Sequence, residues 1–354
     1  MPGPETLGVE LTRILREAQA ESRAPSIVAA VTRNGESVWT DAVGLADIDA
    51  NAPATPEHQF RIGSITKTFT AVALMQLRDE GKVDLDDPAD RYVEGARHAP
   101  TLRRMLAHVS GLQREPTGAD WEAMDFGADN LVDAIAEAEL ILPGGAHWHY
   151  SNLAFAFLGE VVARVSGKPW AEVVDERILR PLGLERTTQE AAEPAARGYL
   201  VDPYADRATA EWSGGTSIWA PAGQLWSTVS DLTRWGSFLV DPDPKVLAPA
   251  TAEEMRGFQA MADLQRWKLG WGLGLMLFRD GDRILAGHGG AMPGFLAGLA
   301  ASPEQKVAVA VLTNSTGGVA IDEVLMSLAK KALDELPAEP EAWRPGEAPP
   351  PELE

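Results

Sequence analysis

Arg61-Ile62-Gly63-Ser64-Ile65-Thr66-Lys67-Thr68-Phe69-Thr70-Ala71-Val72-Ala73-Leu74-Met75-Gln76-Leu77 reads as one long helix that starts at Ser64 and ends near Gly81. From Phe69 to Leu77 only Thr70 and Gln76 are polar. A helix apolar almost all round is buried, so this one runs through the middle of the molecule. It carries a serine and a lysine three residues apart at its first turn, which puts both on one face. A serine hydroxyl attacks a carbonyl only when a partner takes its proton. A lysine one turn along does so when burial or a nearby cation lowers its pKa. The helix start adds backbone N–H groups and a positive dipole end, suited to a developing oxyanion.

Ser-x-x-Lys is a short pattern, and the chain carries a second copy, Ser327-Leu328-Ala329-Lys330. That copy sits within an amphipathic terminal helix, where a polar face in water accounts for it. Ser64 differs in following a glycine and opening the most apolar segment nearby.

Whole-chain properties narrow the classes. A length of 354 residues allows one large domain or two interleaved ones, and 45% hydrophobic residues supports a full core. A formal charge of −21 disfavours nucleic acid and anionic membranes as partners. With no cysteine, disulfides, thiolate catalysis and cysteine-ligated metals are excluded. Met1-Pro2-Gly3-Pro4-Glu5 opens no export signal, and no stretch reaches the roughly 18 apolar residues of a membrane span, so a cytoplasmic location is expected.

Working outward, residues 5–22 read as an amphipathic helix, Ser26–Arg33 as a strand, Asn34-Gly35 as a hairpin turn and Glu36–Val43 as the returning strand. From 84 to 250 short helical patterns alternate with Gly-, Pro- and Asp-rich loops without a clear strand run: 101–107, 129–138, 153–165, 171–179 and 230–239. Strands resume with Leu269–Phe278, read as one strand paired with Arg283–Gly287, then Phe295–Ala301 and Lys306–Thr313, before a helix over 319–333. The expected fold is α/β (α+β): an antiparallel sheet built from both chain ends and flanked by helices, with a mainly helical inserted domain. The expected boundaries are 1–83 with 251–333 for the sheet domain, 84–250 for the helical one, and 334–354 for a Pro/Glu-rich linker beyond which a further domain has been removed.

Two further stretches carry chemistry. Pro143 to Asn152 is a loop running into a helix and contains Tyr150-x-Asn152. A tyrosine near a lysine exists partly as tyrosinate or relays a proton. Asn152 offers its amide N–H to a substrate carbonyl and orients Lys67, unless it or Ser151 merely caps the helix. Gly287-His288-Gly289-Gly290-Ala291 ends a strand, its glycines permitting close backbone approach by a substrate, with the Ala291 N–H as an oxyanion donor. Trp148 and Trp226 adjoin these motifs and are expected to wall a hydrophobic acyl pocket. Trp212, Trp219, Trp235, Trp267 and Trp271 are assigned to packing. His147-x-His149 has Ser151 where a metallo-hydrolase would carry aspartate, so no metal is expected. Asp84-Leu85-Asp86-Asp87 lacks the Gly and terminal Glu of a calcium loop and reads as a solvated turn.

Together, Ser64-x-x-Lys67, Tyr150-x-Asn152 and His288-x-Gly290 resemble the motifs of the serine β-lactamase and DD-peptidase (penicillin-binding protein) superfamily. The resemblance is nearest to its class C β-lactamases, β-lactamase-like esterases, D-amino-acid peptidases and penicillin-binding-protein-type thioesterases. Leu106 to Leu112 and Gly223 to Thr228 match in type, so the resemblance covers residues 5–333. It implies a β-lactamase/transpeptidase-like fold with a cleft between an α/β and a helical domain. It implies that Ser64 is acylated, that Lys67 and Tyr150 share the base and acid roles, and that Asn152 binds the acyl-side amide. The Ser64 and Ala291 N–H groups would form the oxyanion hole, with His288, Gly289 and Gly290 along the substrate. His288 departs from the Lys-Thr-Gly of penicillin hydrolysis. Histidine is mostly neutral at pH 7, which weakens the charge that anchors a substrate carboxylate. The expected activity is therefore cofactor-free acyl hydrolysis of small esters or D-amino-acid amides and peptides. Alternatives are a thioesterase that releases or cyclises a peptide from an acyl-carrier protein, and a penicillin sensor that acylates without turnover.

Overall fold

The computed structural model describes residues 4–338 apart from 117, 120–129, 203, 206, 213 and 216. Residues 339–354 of the expected linker lie outside the described residues. Nine antiparallel strands form the main sheet. Their spatial order is Ala52–Pro53, Glu36–Asp47, Ser26–Arg33, Val307–Thr313, Phe295–Ser302, Arg283–Met292, Met276–Asp280, Leu269–Trp271 and Ala260–Met261. The two chain ends meet at its centre, where Ile27 to Arg33 pair with Thr313 to Val307.

Alternation along Ser26–Arg33 explains why this strand is buried on both faces. Ile27, Ala29 and Val31 pack with Leu11 and Leu15 of the helix Pro4–Ser22 and Leu325 and Leu328 of the helix Ile321–Glu335. Val28 and Ala30 join the opposite core, which contains Phe69 and Leu74 of the Ser64 helix together with Leu106, Phe155 and Trp235 from the 84–250 segment. Ser327 and Lys330 lie on the exposed face of the terminal helix, with Lys330 paired to Asp334, as a solvated surface requires.

The Ser64 helix is buried from Thr66 to Met75. Its buried hydroxyls have partners on the elements packed around it. Thr68 takes the Trp235 indole N–H at 2.7 Å, and Thr70 takes that of Trp170 at 3.0 Å and donates to the Pro221 carbonyl. Phe69 stacks on Trp235 at 4.0 Å. A polar group buried without such partners costs about 1–3 kcal/mol, so these bonds let an apolar helix carry threonines.

Four details depart from the sequence reading. The α-helix begins at Thr66, not Ser64: Gly63–Ile65 forms a 3-10 turn that delivers Ser64 into it. Gly63 has φ +48°, and it docks on the strand Arg283–Met292, a long-range contact that local pattern does not contain. Leu269–Phe278 is not one strand but two, Leu269–Trp271 and Met276–Asp280, pairing antiparallel with each other. The turn between them tucks Gly274, at φ +76°, against Ala71, where a Cβ would lie 2.4 Å from the alanine methyl. The 84–250 segment contains short strands after all. Tyr199–Asp202 pairs with Arg207–Ala210, and Trp226–Ser227 pairs with Phe60–Arg61, runs of four and two residues that fall below a legible alternation. A helix over Pro249–Arg256 was absent from the sequence reading.

The glycines of the third motif serve the chain's own packing first. A Cβ on Gly290 would lie 2.0 Å from the Ile62 carbonyl oxygen, so the strand and the turn carrying Ser64 approach as only glycine allows. Gly289 has room, with Asp322 Oδ1 the nearest atom at 3.7 Å. Gly290→Ala is therefore expected to destabilise the protein by about 2 kcal/mol or more, and Gly289→Ala by less than about 1 kcal/mol. Urea or thermal unfolding of the two variants checks this; equal stabilities would contradict the docking.

Candidate active site

Ser64 leaves the 3-10 turn with its side chain beside Lys67, and the Lys67 amine lies 3.1 Å from Ser64 Oγ. Lys67 is fully buried. Its other partners are Asn152 Oδ1 at 2.6 Å and the Ala222 carbonyl at 2.7 Å. Burial holds Lys67 well below the ordinary lysine value, with the Arg114 cation acting the same way and the Glu115 carboxylate opposing. In a neutral amine the two N–H groups serve the two oxygens that can only accept, and the lone pair is left for the Ser64 hydroxyl.

Tyr150 and Asn152 arrive from one loop and one helix start. The helix Asn152–Ser166 is capped by Ser151, whose Oγ accepts from Ala154 N at 3.0 Å and donates to the Gln113 carbonyl at 2.7 Å. Capping is thus done by Ser151, and Asn152 is free to meet Lys67. One amide N–H of Asn152 donates to Glu115 Oε1 at 2.5 Å, which fixes the side-chain orientation with its oxygen toward Lys67. Tyr150 hydrogen-bonds Ser64. Its phenol is buried, and burial pushes its pKa above the ordinary tyrosine value. Desolvation thus works against the partial tyrosinate and favours the other expectation, a phenol that relays its proton.

His108 holds Tyr150 in place. Its Nδ1 accepts from Ser151 N at 3.0 Å, its carbonyl accepts from His149 N at 2.7 Å, and its ring stacks on the tyrosine with centroids 4.3 Å apart. Burial keeps His108 neutral, well below its ordinary value. His108 lies in the Leu106–Leu112 stretch noted in the sequence, but its role and that of Glu115 were missed. The signal for both is three-dimensional.

His288 is buried behind Tyr150. Its Nδ1 lies 2.6 Å from the Gly289 carbonyl, which can only accept, so Nδ1 carries the proton. Burial, then the Lys67 charge, pushes His288 down to about 3. The third motif therefore presents no cation near neutral pH.

Two arms of a cleft meet at Ser64 and Ala291. One, about 430 Å³, runs past Asn152, Glu115, Trp219 and Met292. The other, about 380 Å³, runs past Tyr150, Trp148, Trp271, His288 and Asp322. Arg114 borders both. Trp148 walls the second arm. Trp226 walls neither: it is buried on the strand pairing with Phe60–Arg61, packed on Phe295 and the Arg61 guanidinium. Trp219 and Trp271, assigned to packing from sequence, are buried as expected and also border the two arms, whereas Trp267 is largely exposed. Adjacency in sequence to a motif does not say which face of a strand a ring takes. Among the described residues, no cluster of three or more His, Cys, Asp or Glu is placed to hold a metal ion, and no helix is long and apolar enough to cross a membrane.

Residues 11–333 match the family model described as Beta-lactamase. The chain is 30% identical over 269 residues to beta-lactamase-like protein 2 of Dictyostelium discoideum, covering 69% of this chain and 48% of that one. It is 32% identical over 209 residues to esterase EstB of Burkholderia gladioli, covering 53% of each. The chain thus spans about half the length of these curated relatives. Among solved structures, a D-stereospecific amidohydrolase from Streptomyces sp. superposes with a TM-score of 0.79 at 26% identity, covering 90% of this chain and 98% of that one.

A buried lysine base predicts a pH signature. Ser64 should react with a fluorophosphonate at a rate that rises with pH as Lys67 loses its proton, the limb lying below the ordinary lysine value of about 10.4. His288→Gln should leave that limb in place, because His288 is already neutral there. Lys67→Arg, permanently charged, should slow labelling at least about a thousandfold. Intact mass against time reads all three; a limb that moves with His288→Gln would make the histidine the base.

Proposed function

The chain belongs to the beta-lactamase family, and we propose that it is a serine acyl hydrolase that works through an acyl-enzyme on Ser64, with small esters or D-amino-acid amides as substrates. The observation that carries this is the placement of the Lys67 amine between two acceptor oxygens and the Ser64 hydroxyl, out of water. The sequence likeness to an esterase and the structural likeness to a D-stereospecific amidohydrolase support the substrate classes.

In the reaction, Lys67 takes the Ser64 proton as Oγ bonds to the substrate carbonyl carbon, and the π electron pair moves to oxygen. In this reading the N–H groups of Ser64 and Ala291 stabilise the charge on that oxygen. The pair returns, the bond to the leaving atom breaks, and Tyr150 supplies the proton that the leaving atom needs. The Lys67 ammonium then returns its proton to the neighbouring Tyr150 phenolate, whose ring centroid lies 5.0 Å from the amine. Water then repeats the sequence on the acyl-enzyme, giving the acid and free Ser64. Lys67 is the base and Tyr150 the acid, because burial favours the neutral form of each. Without a cation at His288, penicillins lose the anchor for their carboxylate and should turn over slowly.

The deciding experiment compares wild type, Ser64→Ala and Tyr150→Phe on a p-nitrophenyl ester and on a D-amino-acid amide with an alkylamine leaving group. Ser64→Ala should abolish both. Tyr150→Phe should cost about 10²–10⁴ in kcat on the amide and far less on the nitrophenyl ester, whose leaving group departs unprotonated. A mass adduct without turnover would favour the sensor alternative. Cyclic product from a carrier-bound peptide thioester would favour the thioesterase.

A further inference from the structure

The two arms at Ser64 are chemically unlike, and the acyl-enzyme reading of Ser64, Lys67 and Tyr150 is the basis on which they can be assigned. Tyr150 delivers a proton to the leaving atom, and Tyr150 borders only the second arm. The leaving group must therefore emerge there, while the acyl group lies along Asn152 and Trp219. The second arm has aromatic walls, with Trp148 and Trp271 at 5.3 Å and Trp271 edge-on to Tyr150 at 5.7 Å.

Asp322, on the first turn of the terminal helix, lines this arm. Its Oδ1 lies 3.7 Å from where a Cβ on Gly289 would stand, beside the third motif. Asp322 makes no hydrogen bond or ion pair among the described residues, and it is not a cap: the first N–H groups of its helix, from Glu323 and Val324, go to the Ala320 carbonyl. The residue stays solvent-exposed, so its carboxylate is open to the arm, and partial desolvation raises its carboxyl from the ordinary value. The other groups facing the arm are His288, which is neutral, and Arg114, whose guanidinium lies 5.1 Å over the Tyr150 ring and 3.5 Å from Glu115. Where a lysine would favour a substrate carboxylate, this arm offers an unpaired carboxylate and aromatic faces.

We propose that the arm beside Tyr150 is a leaving-group subsite for a cationic amine, received by the Asp322 carboxylate and the half-buried Trp148 ring. The substrates are then esters or amides whose departing alcohol or amine carries an ammonium group a few bonds beyond the cleaved one.

A matched pair of substrates tests this: the butyryl ester of choline, and that of 3,3-dimethylbutanol, which has the same shape with carbon in place of the charged nitrogen. Wild type should prefer the choline ester by about tenfold in kcat/KM. Asp322→Asn should erase most of that preference while leaving the neutral ester within about twofold, which also reports that the variant is folded. Asp322→Lys should invert it. Glu323→Gln makes the same change in net charge one residue along, on the groove facing Ser22 and Ser327, and should keep the preference. An unchanged ratio in Asp322→Asn, or an equal fall in Glu323→Gln, would overturn the subsite. If wild type turned over neither ester in a Ser64-dependent way, the acyl-hydrolase reading would fall, and the subsite with it. Turnover of the neutral ester without choline preference would sink the subsite alone.

Discussion

A primary amine buried at the start of an apolar helix is the constraint on which the rest of this structure depends. Lys67 is fully buried, so its nitrogen must be satisfied by protein, and its partners are Ser64 one turn back and Asn152 and Ala222 from two distant parts of the chain. Each partner in turn needs support. Glu115 sets the orientation of Asn152, Ser151 does the capping, and the turn Gly63–Ile65 brings Ser64 to the amine. The same desolvation that makes the arrangement costly also lowers the lysine pKa, so the burial that destabilises the charged amine is what prepares it as a base.

Close backbone approach is the second constraint, and it follows from the first. For Ser64 to sit between Lys67 and the substrate strand, the turn must touch Arg283–Met292, and Gly63 and Gly290 are the positions where it does. Burial also divides labour among titratable neighbours. Lys67, His108 and His288 are all pushed down and Tyr150 is pushed up, so burial favours the neutral form of four neighbouring groups. Arg114, Glu115 and Asp322 remain as the charges lining the cleft.

Much of the fold could be read from the chain because its elements are strongly periodic. The strands Ser26–Arg33, Phe295–Ser302 and Val307–Thr313 and the two terminal helices fall where pattern put them. Errors came where the chain departs from local rules for a tertiary reason. Gly272 and Gly274 break an apolar run into two paired strands because the turn packs on Ala71, and Ser64 lies outside the α-helix because Gly63 docks on a strand far away in sequence. The tryptophans show the same limit. All three of Trp219, Trp226 and Trp271 are buried, but only Trp219 and Trp271 border the cleft, and nothing in their flanking residues distinguishes them.

The sequence by itself determined which chemistry-bearing residues exist, that Ser64 and Lys67 lie one turn apart, and that no lysine stands at the third motif, because these depend on residue type and short spacing. Only the tertiary structure decided that Tyr150 holds its proton, that Glu115 and His108 belong to the site, and that Asp322 lines one arm of it. Protonation and pocket membership depend on desolvation and on contacts between segments tens to hundreds of residues apart, and those are properties of the packed molecule rather than of any local stretch.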